Sequence, residues 1–183
     1  MVRYLLYYIL TILFLSCEND DTPRVYKLKK PIAVNSEEKN IAANDEEISW
    51  NIPSDWEEIQ GNSFSLAVYK ILNTSDYSEI SITKFPGDAG GIENNVNRWR
   101  RQVGLPSEKI EKIISDADFN SNSIGKFSMH KIINEKAPES AFLCKIMPLE
   151  SSTVFVKLKS TMNGVGELKK EFYRFCSSFR YLK

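Results

Sequence analysis

Histidine is nearly absent from this chain: 183 residues contain one, His130. Any serine–histidine–aspartate set or multi-histidine metal site would have to be built around that single residue. No Cys-x-x-Cys or His-Glu-x-x-His spacing occurs. The glycine-rich stretch lacks a Gly-Lys-Ser/Thr ending and does not match G-x-G-x-x-G, so the usual zinc, phosphate-loop and dinucleotide signatures are excluded and no cofactor is implied. An excess of one charge is missing too, with Lys plus Arg at 24 and Asp plus Glu at 24. That balance exerts no general pull toward nucleic acid or anionic lipid, so any charged site must be local. A long apolar run is also lacking. Tyr4 to Phe14 is shorter than the roughly 20 residues that a helix needs to cross a bilayer core.

What is there begins with that short apolar segment. Arg3 precedes it, and Phe14-Leu15-Ser16-Cys17 follows it. The arrangement resembles a lipoprotein signal with its lipobox, although Phe14 and Leu15 stand where leucine and a small residue are preferred. It predicts a signal peptide over residues 1–16, cleavage before Cys17, and lipid on the Cys17 thiol. A diacylated cysteine with a further N-acyl chain supplies the two-chain anchoring that one acyl group cannot. The expected location is therefore the cell envelope, lipid-anchored to the outer membrane on its periplasmic or surface side, with membrane lipid the first partner. Glu18-Asn19-Asp20-Asp21 reads first as a solvated tether and alternatively as a surface-sorting tag.

Residues 17–47 are polar and aperiodic, a composition that buries too little apolar surface to offset the entropy of ordering; they read as a flexible tether. A single domain over 48–183 follows. Phe64, Leu66 and Val68 alternate with polar or small neighbours, and Tyr77 to Phe85 alternates again after a turn at 73–76, predicting a hairpin. Ile92, Val96, Trp99 and Val103 recur at helical spacing until Gly104-Leu105-Pro106, and a shorter helix carries Ile110, Ile113 and Ile114. Three strands are expected near Gly125–Ile133, Ala141–Met147 and Thr153–Ser160. A last helix lines up Val165, Leu168, Phe172, Cys176 and Phe179. Hairpin, helices, meander and helix in that order predict an α+β domain, a central antiparallel sheet packed by helices. Cys144 and Cys176 read as small core residues, with a bridge between them as the alternative.

The segment least explained by core building runs from Pro86 through Gly87-Asp88-Ala89-Gly90-Gly91 to Asn94-Asn95-Val96-Asn97-Arg98-Trp99-Arg100-Arg101-Gln102. Asparagine is a poor helix former because its side chain competes for backbone bonds, so three in the first turns point to side chains kept for polar contacts. By helical projection Asn95 and Gln102 border the apolar stripe, while Asn97, Arg98 and Arg101 point further out. One reading has the amides satisfying backbone groups at the domain edge. The other has a recognition surface, in which Asp88, Gly90, Gly91, Asn95, Asn97, Arg98, Trp99 and Gln102 bind an anionic or peptide group at a helix start.

Trp50-x-x-Pro53-x-x-Trp56, Phe85-Pro86-Gly87-Asp88-Ala89-Gly90-Gly91 and Asn95-Val96-Asn97-Arg98-Trp99-Arg100-x-Gln102-x-Gly104-Leu105-Pro106 resemble a family of bacterial envelope lipoproteins of uncharacterised function. Val154-Phe155-Val156-Lys157-Leu158 and Phe172-x-x-Phe175-x-x-Ser178-Phe179-Arg180-Tyr181 continue the resemblance. The last two elements also resemble PsbP-like domains, which implies an αβα sandwich but does not fix an activity.

These readings make the chain a non-catalytic envelope module that binds a protein or small ligand through the Gly87–Gln102 region, with no nucleic-acid role. A structural spacer is the second reading. A hydrolase-type enzyme assembled from dispersed acids and His130 is the third. Asp116, Asp118 and Asn120 offer spaced oxygens for a cation, but without EF-hand glycine and glutamate they read first as turn and cap residues.

Overall fold

The computed structural model describes residues 47–72 and 74–182. The signal segment, the tether up to residue 46 and Cys17 lie outside the described residues.

The elements run β1 (Ile48–Ser49), β2 (Trp56–Ile59), β3 (Ser65–Ile71), β4 (Ser78–Pro86), α1 (Gly91–Gln102), α2 (Ile110–Ser115), β5 (Asp118–Ser121), β6 (Lys126–Ile133), β7 (Ala141–Pro148), β8 (Ser152–Ser160), α3 (Met162–Ser177) and β9 (Arg180–Tyr181). Strands β2 to β8 form an antiparallel sheet in the order β2-β3-β4-β8-β7-β6-β5, and β1 pairs separately with β9. This is the α+β class expected from the pattern. Four short strands go beyond it, β1 and β9 being paired with each other. Trp56–Ile59 pairs with β3, and Asp118–Ser121 pairs with β6 where a turn was expected. The last helix stops at Ser177, leaving Phe179 just past its end.

The pleat sends alternate side chains of each strand to opposite faces, and both faces are covered. On β7, Ala141, Leu143 and Met147 join one core, while Phe142, Cys144 and Ile146 join the other. The first core packs Ile80, Ile82, Val154, Val156 and Leu158 under α3 through Val165, Leu168, Phe172 and Cys176. The second packs Phe155, Ile146 and Ile132 under α1 and α2 through Val96, Trp99, Val103 and Ile113. Helices on both sides of one sheet give three layers. Cys144 and Cys176 lie in different cores, both as free thiols, so the bridge alternative is set aside: the sheet stands between them.

Lys145 is the buried cation on the α3 face. Its side chain is fully buried, its Nζ donates to the Cys176 carbonyl at 2.7 Å, and the ammonium lies 3.9 Å from the Phe179 ring centroid. The carbonyl belongs to the last turn of α3, where backbone oxygens lack helical partners and a cation is favoured by the helix dipole. Desolvation still holds its pKa down to about 8.

The ends of the domain meet. Ile48 pairs with Tyr181, Leu182 N–H donates to Glu47 O at 2.8 Å, and Trp50 stacks on Phe179 at 5.2 Å.

Candidate functional site

The glycine-rich loop leads from β4 into α1 through Gly87, Ala89, Gly90 and Gly91, all at positive φ. At Gly90 (φ 86) and Gly91 (φ 76) such angles are cheap only for glycine. The conformation folds Asp88 back over the helix start: its Oδ1 accepts from Gly90 N–H at 3.0 Å, and its carbonyl accepts from Gly91 N–H at 2.9 Å. The loop's own carboxylate and carbonyl therefore take two of the glycine N–H groups that an external anion was expected to meet.

Asn95 is buried beneath this loop. Its Nδ2 donates to Ala89 O at 3.0 Å and Gly91 O at 2.7 Å. With both amide hydrogens spent on carbonyls, Oδ1 faces the next turn and accepts from Arg98 Nη2 at 2.8 Å. Asn97, placed outward by helical projection, is instead 8% exposed. The correction has a local cause: α2 and the strand-like segment before it dock on that side. Asn97 Nδ2 donates to Glu108 O at 2.9 Å, while its Oδ1 accepts from Glu108 N–H at 2.8 Å. Arg100 reinforces the same joint, with Nε donating to Pro106 O at 2.8 Å and Nη2 pairing with Glu108 at 3.1 Å.

The eight residues singled out thus separate. Asp88, Gly90 and Gly91 shape the loop, and Asn97 clasps Glu108 in the approach to α2. Arg98, Trp99 and Gln102 come together on the far side of α1, where the helix steps down to the part of the sheet it does not cover. A groove of about 230 Å³ runs along that step. Arg98, Trp99 and Gln102 form its wall; Ser81, Thr83 and Phe85 of β4 and Phe155 and Lys157 of β8 form its floor; Asn62 and Ser65 close one end.

The floor follows from strand register. Ser81 lies between Val68 and Lys157, and Thr83 lies between Ser65 and Phe155. A bulge between Ser65 and Ala67 restores Ser65 to this face and leaves Leu66 exposed. Trp99 meets Phe155 edge-on at 6.0 Å, and Phe64 stacks over Phe85 at 6.2 Å as an exposed apolar lip.

The groove's polar groups have few calls on them. Among the described residues, the side chains of Ser81, Thr83 and Gln102 make no hydrogen bond, and neither Arg98 nor Lys157 is paired with a carboxylate. None of the described residues that line it carries a carboxylate.

The floor was missed in the sequence, and two signals point to it. Ser81-x-Thr83-x-Phe85 is a polar face interleaved with Ile80 and Ile82 on a strand buried on its other side. Lys157 interrupts the apolar run Val154-Phe155-Val156.

His130 lies on the same sheet face, away from the groove. Its Nε2 is 2.8 Å from Ser128 Oγ, and both residues are buried, at 5% and 3% exposure. Burial pushes the imidazole pKa down to about 4. The adjoining cavity, near Ile113 and Asp116, is about 40 Å³, room for a few waters. The acids weighed as an alternative cation site diverge: Asp116 pairs with Lys112 at 2.7 Å, whereas Asp118 accepts from Tyr173 at 2.7 Å. Among the described residues, no group of three or more His, Cys, Asp or Glu side chains is placed to hold a metal.

No family model matches the chain, and no curated protein matches it. It is similar to the solution structure of cyanobacterial PsbP (CyanoP) from Synechocystis, at 13% identity over 76% of this chain and 89% of that one, with a TM-score of 0.49. So distant a likeness says nothing about activity.

Proposed function

We propose that the chain is a lipid-anchored envelope module that binds a protein or small ligand without transforming it, through the groove between α1 and the uncovered part of the sheet. The carrying observation is that the Ser81, Thr83 and Gln102 side chains make no hydrogen bond among the described residues, and that two cations without a carboxylate partner stand there beside three aromatic rings. A concave site with apolar walls and a few convergent polar groups is the usual form of a binding site. The Cys17 anchor rests on the signal-like N-terminus. Among the described residues no helix is long and apolar enough to cross a membrane.

The test is capture from native membranes by the lipidated chain, run beside a Thr83→Trp variant that fills the groove and leaves its cations in place. A melting curve checks that the variant folds. Loss of the same bound species from the folded variant supports the groove. Equal capture by both excludes it.

The spacer reading is favoured by one specific observation: the amides of Asn95 and Asn97 make their hydrogen bonds within the fold. On that reading Asn97→Ala lowers stability by about 1–3 kcal/mol, leaving Glu108 N–H and C=O unpaired, with no change in any interaction. Arg98→Gln separates the readings. It should leave the melting temperature nearly unchanged while weakening binding.

A further inference from the structure

We propose that the groove takes a small organic oxyanion, its carboxylate or phosphate head held between Arg98 and Lys157 and its planar apolar body laid against Trp99, Phe85 and Phe155. The inference rests on the groove reading above and adds the chemistry of the ligand.

Three observations on independent elements converge on it. Arg98 is carried on a fixed mount. The loop carbonyls of Ala89 and Gly91 hold the Asn95 amide, and Asn95 Oδ1 holds Nη2, leaving the remaining guanidinium N–H groups to a ligand. A guanidinium ordered in advance loses less entropy when it grips a planar oxyanion.

Lys157 rises from β8 opposite Ser81, half-buried, with its Nζ 5.1 Å from the Phe142 ring centroid and no carboxylate beside it among the described residues. Both cations line the one groove, Arg98 in its helix wall and Lys157 in its sheet floor.

The other polar groups available are the Ser81 and Thr83 hydroxyls and the Gln102 amide, all able to donate. Two cations with several donors and no lining carboxylate select against a cationic ligand and in favour of an anion. The volume sets the size. About 230 Å³ lies below the span of a drug-sized pocket, so one ring with its charged head fits, and a larger molecule would project over the Phe64 lip.

Titrations followed by amide and tryptophan-indole NMR shifts test it with benzoate, phenyl phosphate, inorganic phosphate, benzamide and benzylamine. The expected result is saturable binding of benzoate or phenyl phosphate, with shifts at Trp99 and along β4 and β8. Inorganic phosphate and benzamide should bind at least about tenfold more weakly, and benzylamine not at all. Arg98→Gln and Lys157→Gln should each weaken the anion by about tenfold or more, and Thr83→Trp should abolish it.

Benzamide or benzylamine matching benzoate overturns the oxyanion assignment and leaves the groove reading standing. Absence of saturable shifts with either aromatic anion also overturns the assignment, while membrane capture judges the groove separately. Anion binding that survives Thr83→Trp places the ligand elsewhere and removes both.

Discussion

His130 and Lys145 are buried ionisable groups on opposite faces of one sheet, and their environments have opposite degrees of provision. Lys145 has a helix-end carbonyl and aromatic faces around its ammonium. His130 has one hydroxyl and no acid among the described residues facing it at hydrogen-bond range, so its neutral form is the one the fold accommodates. Unfolded, its imidazole takes a proton near pH 6.5; folded, it resists until about 4. The unfolded state therefore binds more protons in that window. Stability is fully present above pH 6.5 and falls as the pH drops toward 4, by at most about 3 kcal/mol from this residue. His130→Gln keeps a partner for Ser128 and removes the titration. Urea melts at pH 7 and pH 4.5 should show the wild type losing more stability on acidification than the variant. Equal losses would mean that His130 does not govern the acid side of the curve.

At the scale of elements, α3 and the β3–β4 turn are stapled at one point. Thr161 caps the helix, its Oγ1 accepting from Gly164 N–H at 3.0 Å and donating to Asp76 Oδ2 at 2.6 Å. Behind it Ser78 and Ser160 share a buried hydroxyl pair at 2.7 Å, and a Cβ on Gly164 would collide with the Ser160 side chain. Thr161→Ala removes both the cap and the staple and should cost about 1–2 kcal/mol; Thr161→Ser should retain most of it. Gly164→Ala, normally helpful inside a helix, should here destabilise. Thermal melts of the three variants decide the matter, and a neutral Thr161→Ala would dismiss the staple. Much of this level was legible in advance. The alternation from Tyr77 to Phe85 and the 3.6-residue stripe of α3 are local signals, and local signals survive in a single sequence. The strand at Trp56–Ile59 was not legible because half its residues, Glu57 and Glu58, are exposed edge positions with no apolar alternation.

Across the whole molecule, two cores share one sheet, and what lies on which face governs both chemistry and legibility. Cys144 and Cys176 are each fully buried on different faces. Burial pushes the Cys176 thiol pKa up to about 12 and the Cys144 thiol up as well. Mild oxidation should therefore leave the mass and melting temperature unchanged, and thiol-directed alkylation should proceed only at the rate of unfolding; a bridged product recovered from native protein would contradict this arrangement. The groove illustrates the limit of reading at this scale. Arg98, Trp99 and Gln102 were visible as one run of helix. Their counterparts come from strands, Ser81 and Thr83 from β4 just upstream and Lys157 from β8 far downstream, and only the β4–β8 register sets Lys157 beside Ser81. Asn97 was misplaced for the same reason, since the contact that buries it, Glu108, belongs to the approach of the next helix.

The meeting of β1 with β9 has a mechanical consequence. Any pull transmitted along the chain from before Glu47 reaches the domain at Ile48, whose partner Tyr181 belongs to the closing strand. The first bond in line is Leu182 N–H to Glu47 O, followed by the two-residue ladder and then the Trp50–Phe179 stack. Loaded from that end, an antiparallel pair unzips bond by bond, so a weak release of the first residues precedes any load on the seven-stranded sheet. Under such a pull the domain would thus yield at its margin, lengthening slightly while the sheet that floors the groove keeps its register.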